Sequence, residues 1–236
     1  MKQEIPWNRL AVEAFVIVGS ILLAFAIDAW WGEFNDDAQG KALLNALAED
    51  LQQSTALLAI SKREHQSILE VSKLVLDYGE IGTLEESQKS DFENAVGGHF
   101  LRTRYRPPLG AVESIRSSGR LDLIDNPNLV PTLNQWVAQV NMLDSSQAAL
   151  EEHFYERIYP YLAPRIDLED LDKGFANYVE IPWNQIRTGA YELVDDREFL
   201  SMIYMHWVLS QNCLTNLRIV EDQLTKLLNL IQESTY

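Results

Sequence analysis

The chain has one cysteine, Cys213, so no intramolecular disulfide can form, and the count is compatible with either a reducing or an oxidising compartment. Cys213 sits in an apolar helical pattern beside Leu214 and Leu217, which predicts a buried structural thiol rather than a nucleophile. Positive charge is also scarce: 19 Lys and Arg stand against 35 Asp and Glu, for a formal net charge of -16. Such a balance argues against nucleic acid as a partner, because phosphate binding needs a broad positive surface. A Gly-rich phosphate loop and a nucleophile elbow are both missing. His65, His99, His153 and His206 lie far apart, with no Cys or His at ligand spacing. Glu151, Glu152, His153 and Glu156 include a carboxylate-histidine i, i+3 relation. A di-metal centre needs Glu-x-x-His on two helices, and here the order is reversed. No catalytic residue, metal site or cofactor is therefore expected, and the protein reads as noncatalytic.

Strand-like alternation and internal repeats are lacking too, and the expected class is all-α: one N-terminal transmembrane helix followed by a bundle of long antiparallel helices. The expected division is a short cytoplasmic N-terminus over 1–9, a transmembrane helix over 10–31, and an extracytoplasmic helical-bundle domain over 32–236.

What is present is one long apolar stretch, Leu10 to Trp31, LAVEAFVIVGSILLAFAIDAWW. Its charge-free centre runs from Ala14 to Ile27; with its flanks it reaches about 22 residues, or roughly 33 Å of helix, enough for a hydrocarbon core of about 30 Å. Lys2 and Arg9 precede it, while Glu33, Asp36 and Asp37 follow with Lys41 the only nearby base. The positive-inside rule then keeps the amino terminus in the cytoplasm and places everything from about Gly32 onward on the far side of the inner membrane, in the periplasm if the source is a Gram-negative bacterium. Trp7 on one side and Trp30 with Trp31 on the other suit the two interfacial belts. Two other readings compete: a cleavable signal peptide, with Ala24-Phe25-Ala26 as a cleavage site, and a buried helix of a soluble protein.

At about 100° per residue, Glu13, Ser20, Ala24, Ile27 and Asp28 fall on one face of this helix. Carboxylates are costly in lipid, and Ser20 and Ala24, preceded by Gly19, permit close helix approach. Glu13, Gly19, Ser20, Ala24 and Asp28 form the expected partner face, toward a second copy of the chain or another membrane protein; edge snorkelling without a partner is the alternative.

Beyond the membrane, Leu44, Leu47, Leu51, Ser54, Leu58, Ser61, His65, Ile68, Ser72 and Val75 are spaced by three and four, a heptad-type seam whose serines and histidine mark a polar layer. A second line through Leu57, Ile60, Val71, Leu74 and Tyr78 widens the stripe. Gly79 and Gly82 are expected to end this helix. Further helices are predicted from Thr83 to about Phe100, from Ala111 to Ser117, from about Asn128 to about Tyr159, and from Arg197 to Glu233. Asn126 with Pro127 forms a helix entry. The prolines of LRTRYRPPLG force an extended turn, and 165–194 reads as loops and short helices. In the last helix, Ile203, Trp207, Leu214, Leu217, Val220, Leu224, Leu227 and Ile231 form an apolar line with one slip near Leu217.

The anchor with its trailing heptads, together with SSGRLDLIDNPNLVPTLNQW, resembles a family of uncharacterised bacterial single-pass membrane-anchored helical proteins, a domain of unknown function. The matching positions are Glu13, Gly19, Asp28 and Trp30, then Ser118, Gly119, Ile124, Asn126 and Leu129. Asp28 stands where the family more often has asparagine. The resemblance implies a membrane protein and no particular activity.

One basic cluster stands out: Arg102, Arg104, Arg106, Arg116 and Arg120, opposed within that span only by Glu113. Arginines alternating beside a Pro-Pro turn could contact an anionic ligand, lipid headgroups or an acidic partner face. The competing reading has them neutralise acids of the same body. The expectation is a scaffold or accessory subunit whose partners are the bilayer and a second copy or another membrane protein. A periplasmic sensor-like bundle binding a small anion is the runner-up, and the short stretch before the anchor favours the scaffold.

Overall fold

The computed structural model describes residues 7–97, 104–118, 126–165 and 190–235. Among these every regular element is helical. Helix α1 spans Trp7–Ile81, α2 Glu86–Gly97, α3 Gly110–Ser118 and α4 Leu129–His153. A π-helical turn, Phe154–Ile158, leads into α5, Tyr159–Leu162; a 3-10 turn, Ala190–Leu193, precedes α6, Arg197–Thr235.

Helix α1 is one unbroken rod of 75 residues, about 112 Å at 1.5 Å per residue. The apolar stretch and the heptad segment, which the sequence presents as separate features, are a single helix passing through Gly32 and Gly40. Gly79 also stays inside it. A Cβ there would lie 2.5 Å from Leu200 Cδ2, so the glycine permits α6 to approach closely. The helix ends at Gly82, whose φ of 74° only glycine adopts readily; its N–H donates to Tyr78 O at 3.0 Å. Gln88 Oε1 then accepts from Glu85 N at 2.9 Å and opens α2.

Every position of the heptad seam from Leu44 to Val75 is buried. The widening line is not: Ile60 and Leu74 are exposed, because neighbouring helices cover a narrower arc of α1 than those residues occupy. Helix α4 buries Leu129, Leu133, Trp136, Val140, Leu143, Gln147 and Leu150, again at spacings of three and four. Helix α6 buries Ile203, His206, Ser210, Cys213, Leu217, Val220, Leu224, Leu227 and Ile231. The slip near Leu217 therefore disappears: the seam runs through the polar residues His206 and Ser210, which an apolar count skips.

Gly79 meets Leu200 and Lys62 Nζ bonds Glu221 Oε2 at 2.6 Å, so α1 and α6 run in opposite directions. One apolar cluster joins Leu47, Leu51 and Leu58 of α1 with Ile115 of α3, Trp136 of α4 and Leu217 of α6. A second joins Val75, Phe92, Phe154, Ile158, Phe199 and Ile203. A fully buried side chain of this size contributes about 1.5–3 kcal/mol. Between the two clusters the seams carry Ser61, His65, Gln147, His206 and Ser210, all buried.

The short elements are fixed by side chains from elsewhere. Asp50 Oδ2 accepts from Ala111 N at 2.8 Å and caps α3 from α1. Asp196 Oδ1 accepts from Glu198 N at 3.0 Å and Phe199 N at 3.1 Å and caps α6. Pro160 does not end the helical path: it sits in the first turn of α5, where its missing N–H costs little, after the π-helical turn has shifted the hydrogen-bond register. His99, Arg102, Gly119, Arg120, Ile124 and most of 165–194 lie outside the described residues.

Candidate functional site

The N-terminal portion of α1 is the most distinctive surface. An 18-residue window here has mean hydropathy 1.9 and none of it is buried, which makes this helix long and apolar enough to cross a membrane. Phe15 is 79% exposed, and Val16, Ile17, Val18, Ile21, Leu22, Leu23, Phe25 and Ile27 are all at least half exposed. A contiguous apolar surface of this extent marks an interaction site or a membrane segment. From Phe15 onward, the first buried residue along α1 is Gly40.

Glu13, Gly19, Ser20, Ala24 and Asp28 are all exposed on this arm. Ideal helix geometry places Glu13, Ser20, Ala24 and Asp28 within roughly 80° of arc. A Cβ added at Gly19 would meet nothing within 4 Å. Ser20 Oγ donates to Val16 O at 2.7 Å, so the hydroxyl proton is satisfied within the helix and adds little to the cost of an apolar environment. Just beyond lie Trp30, Trp31 and Phe34, with centroids 6.4 Å apart for Trp30–Trp31, 6.2 Å for Trp30–Phe34 and 6.1 Å for Trp31–Phe34. These rings form an exposed aromatic collar between the arm and the body.

The arginines do not share one environment. Arg104 reaches α4, with Nη2 3.0 Å from Glu151 Oε2 and Nη1 3.6 Å from Asp144 Oδ1. It neutralises acids of its own body, the second of the two roles the sequence allowed. Arg106, beside Pro107, is exposed; Arg116 is exposed in the last turn of α3, where a cation complements the helix dipole.

Within the body, Gln147 Nε2 lies 3.3 Å from His65 Nε2, joining α4 to α1 across the polar layer. His153 Nε2 is 2.9 Å from Met202 O, and its ring stacks on His206 at 6.0 Å. The serines and His65 on the α1 seam signalled this layer, but its partners on α4 and α6 could not be paired from the linear chain. A surface groove of about 380 Å³ lies between α1 and α6, walled by Asp77, Gly79, Leu200, Tyr204 and Trp207. Burial pushes the Cys213 thiol up to about 12, which suits a packing role. Among the described residues no group of three or more His, Cys, Asp or Glu is placed to hold a metal ion. No protein-family model matches the chain, and neither does any curated protein or solved structure.

Proposed function

We propose that this protein is a noncatalytic, single-pass membrane scaffold or accessory subunit. Residues 10–31 span a bacterial inner membrane with residues 1–9 in the cytoplasm, and residues 32–236 form a periplasmic antiparallel helical bundle. This reading includes the family of membrane-anchored helical proteins that the sequence resembles. The observation that carries it is the wholly exposed apolar arm continuous with a packed helical body. Burying such an arm in lipid recovers about 1.5–3 kcal/mol for each large apolar side chain fully removed from water.

Partner contact is assigned to two surfaces. In the membrane, Glu13, Ser20, Ala24 and Asp28 face a second copy of the chain or another membrane subunit, with Gly19 allowing close approach. Outside it, the exposed bundle surface offers Arg106 and Arg116 to an acidic partner. Because α1 has no break at the membrane surface, a tilt of its anchor carries directly into the bundle.

Affinity purification from native membranes in mild detergent tests this, combined with disulfide crosslinking through Ser20→Cys and Ala24→Cys. Copurifying subunits or a crosslinked dimer are expected; a lone monomer with neither crosslink overturns the scaffold. The exposed Arg106 and Arg116 keep a small-anion sensor as second reading. Stabilisation of the purified monomer by phosphate or a dicarboxylate would favour it.

A further inference from the structure

A small polar cavity lies between α1, α4 and the extended segment 104–109. Glu64 and His65 of α1, Arg104, and Gln147 and Glu151 of α4 supply its polar wall, with about 10 Å³ of room for the centre of a water molecule. That is the space of one water molecule.

The hydrogen-bonding groups around it are unevenly used. The terminal nitrogens of Arg104 face Asp144 and Glu151, and Gln147 Nε2 faces His65. Three buried atoms remain without a protein partner: Arg104 Nε, Glu64 Oε2 and Gln147 Oε1. One is a donor and two are acceptors. Gln147 itself is only 2% exposed, so bulk solvent does not reach its amide.

A single species satisfies one donor and two acceptors at once by accepting one hydrogen bond and donating two. We infer that this cavity binds one ordered water molecule, which accepts from Arg104 Nε–H, donates to Glu64 Oε2 and Gln147 Oε1, and ties the 104–109 segment to α1 and α4. A cation is opposed by the Arg104 guanidinium, and an anion by the Glu64 and Glu151 carboxylates. Larger molecules exceed the space. The water is thus a structural ligand at a three-way junction, and it fixes the segment that presents Arg106 to solvent.

The test uses the full chain in lipid nanodiscs, with water-to-amide magnetisation transfer as the readout for long-lived internal water and hydrogen exchange over 104–109 as the readout for the segment. Wild type should transfer magnetisation from a long-lived water to groups of Glu64, Arg104 and Gln147. Gln147→Met should abolish that transfer and speed amide exchange in 104–109 several-fold, with helix content unchanged. Arg104→Lys, which keeps the charge but has no Nε–H at this place, should do the same. Absence of a long-lived water in wild type overturns the site whatever the variants do, including the case in which they fail to fold. Transfer that persists undiminished in a folded Gln147→Met overturns the assigned coordination.

Discussion

Asn126 Nδ2 donates to Ser234 Oγ at 2.9 Å, which ties the turn before α4 to the last turn of α6, 108 residues further along the chain. Its Oδ1 accepts from Asn128 N at 3.1 Å, so one side chain both shapes the entry to α4 and holds the end of α6. Leu230 O, at 3.4 Å, receives a weaker bond from the same amide.

Asn126→Ala removes these contacts together. The expected loss is about 1–2 kcal/mol, that of a helix-entry residue plus an interhelical hydrogen bond. Urea denaturation reads the loss, and hydrogen exchange should locate faster opening in the last turn of α6. An unchanged midpoint would mean that the two elements hold together without Asn126.

The carboxyl of Asp196 gives a pH prediction. Burial raises its pKa, but hydrogen bonds from Tyr161 and from the Phe199 and Glu198 backbone, together with Arg165, outweigh that and hold it below the ordinary 3.8. A folded value below the unfolded one contributes stability above the unfolded pKa, and that contribution is lost as pH falls through the folded value. Asp196→Ala should therefore cost about 0.5–2 kcal/mol at neutral pH through loss of the cap. Its stability should also fall less steeply than wild type below about pH 4. Parallel acid-denaturation curves for the two proteins would contradict this.

Leu47 and Phe199 are both fully buried, but in different apolar clusters separated by the polar layer. Leu47→Ala should cost about 2–5 kcal/mol and Phe199→Ala about 3–5 kcal/mol. In a double mutant the losses should add to within about 0.5 kcal/mol, since the sites share no neighbours. Calorimetry or denaturant melts on all three variants decide it; a coupling above about 1 kcal/mol would show that the polar layer transmits packing strain.

The Cys213 thiol, pushed from an ordinary 9.0 to about 12 by burial, should be inert in the folded protein. At a pH below both values the thiolate fraction falls by about a thousandfold, and steric shielding adds to it. Labelling by a thiol-specific disulfide reagent at pH 8 should thus be slow in native protein and rapid in urea. Comparable rates in both conditions would place the thiol at the surface.

Because no side chain from Phe15 to Ala38 is buried, the body should fold without the arm. A chain beginning at Asn35 should keep the urea midpoint of the full protein while losing membrane association in flotation assays. A truncated chain that still floats with vesicles would assign lipid contact to the body.

Much of the helical framework was legible because it depends on local periodicity. In α1 every position that the three-four spacing picks out from Leu44 to Val75 is buried, serines and His65 included, and Leu69 is buried beside that line without belonging to it. In α6 the same logic faltered at His206 and Ser210, since a polar residue at a core position contributes nothing to an apolar count. The helix end expected near Tyr159 is overrun for another local reason: the π-helical turn before Pro160 absorbs the register change. For the arginines, charge alone could not separate an external contact from an internal one. Arg104 and Glu151 are 47 positions apart, and only the packing of the 104–109 segment on α4 joins them.

By itself the sequence determined the long helices, the buried seam of α1 and the apolar arm, because these follow from a fixed residue period and from side-chain transfer between water and apolar surroundings. The tertiary structure alone decided that arm and body share one helix, that Gln147 faces His65, and that Arg104 turns inward to α4. The last two depend on how separate helices rotate and slide against one another, a relation set by packing rather than by any one helix's own pattern, whereas the first rests on backbone hydrogen bonding that runs unbroken through Gly32 and Gly40.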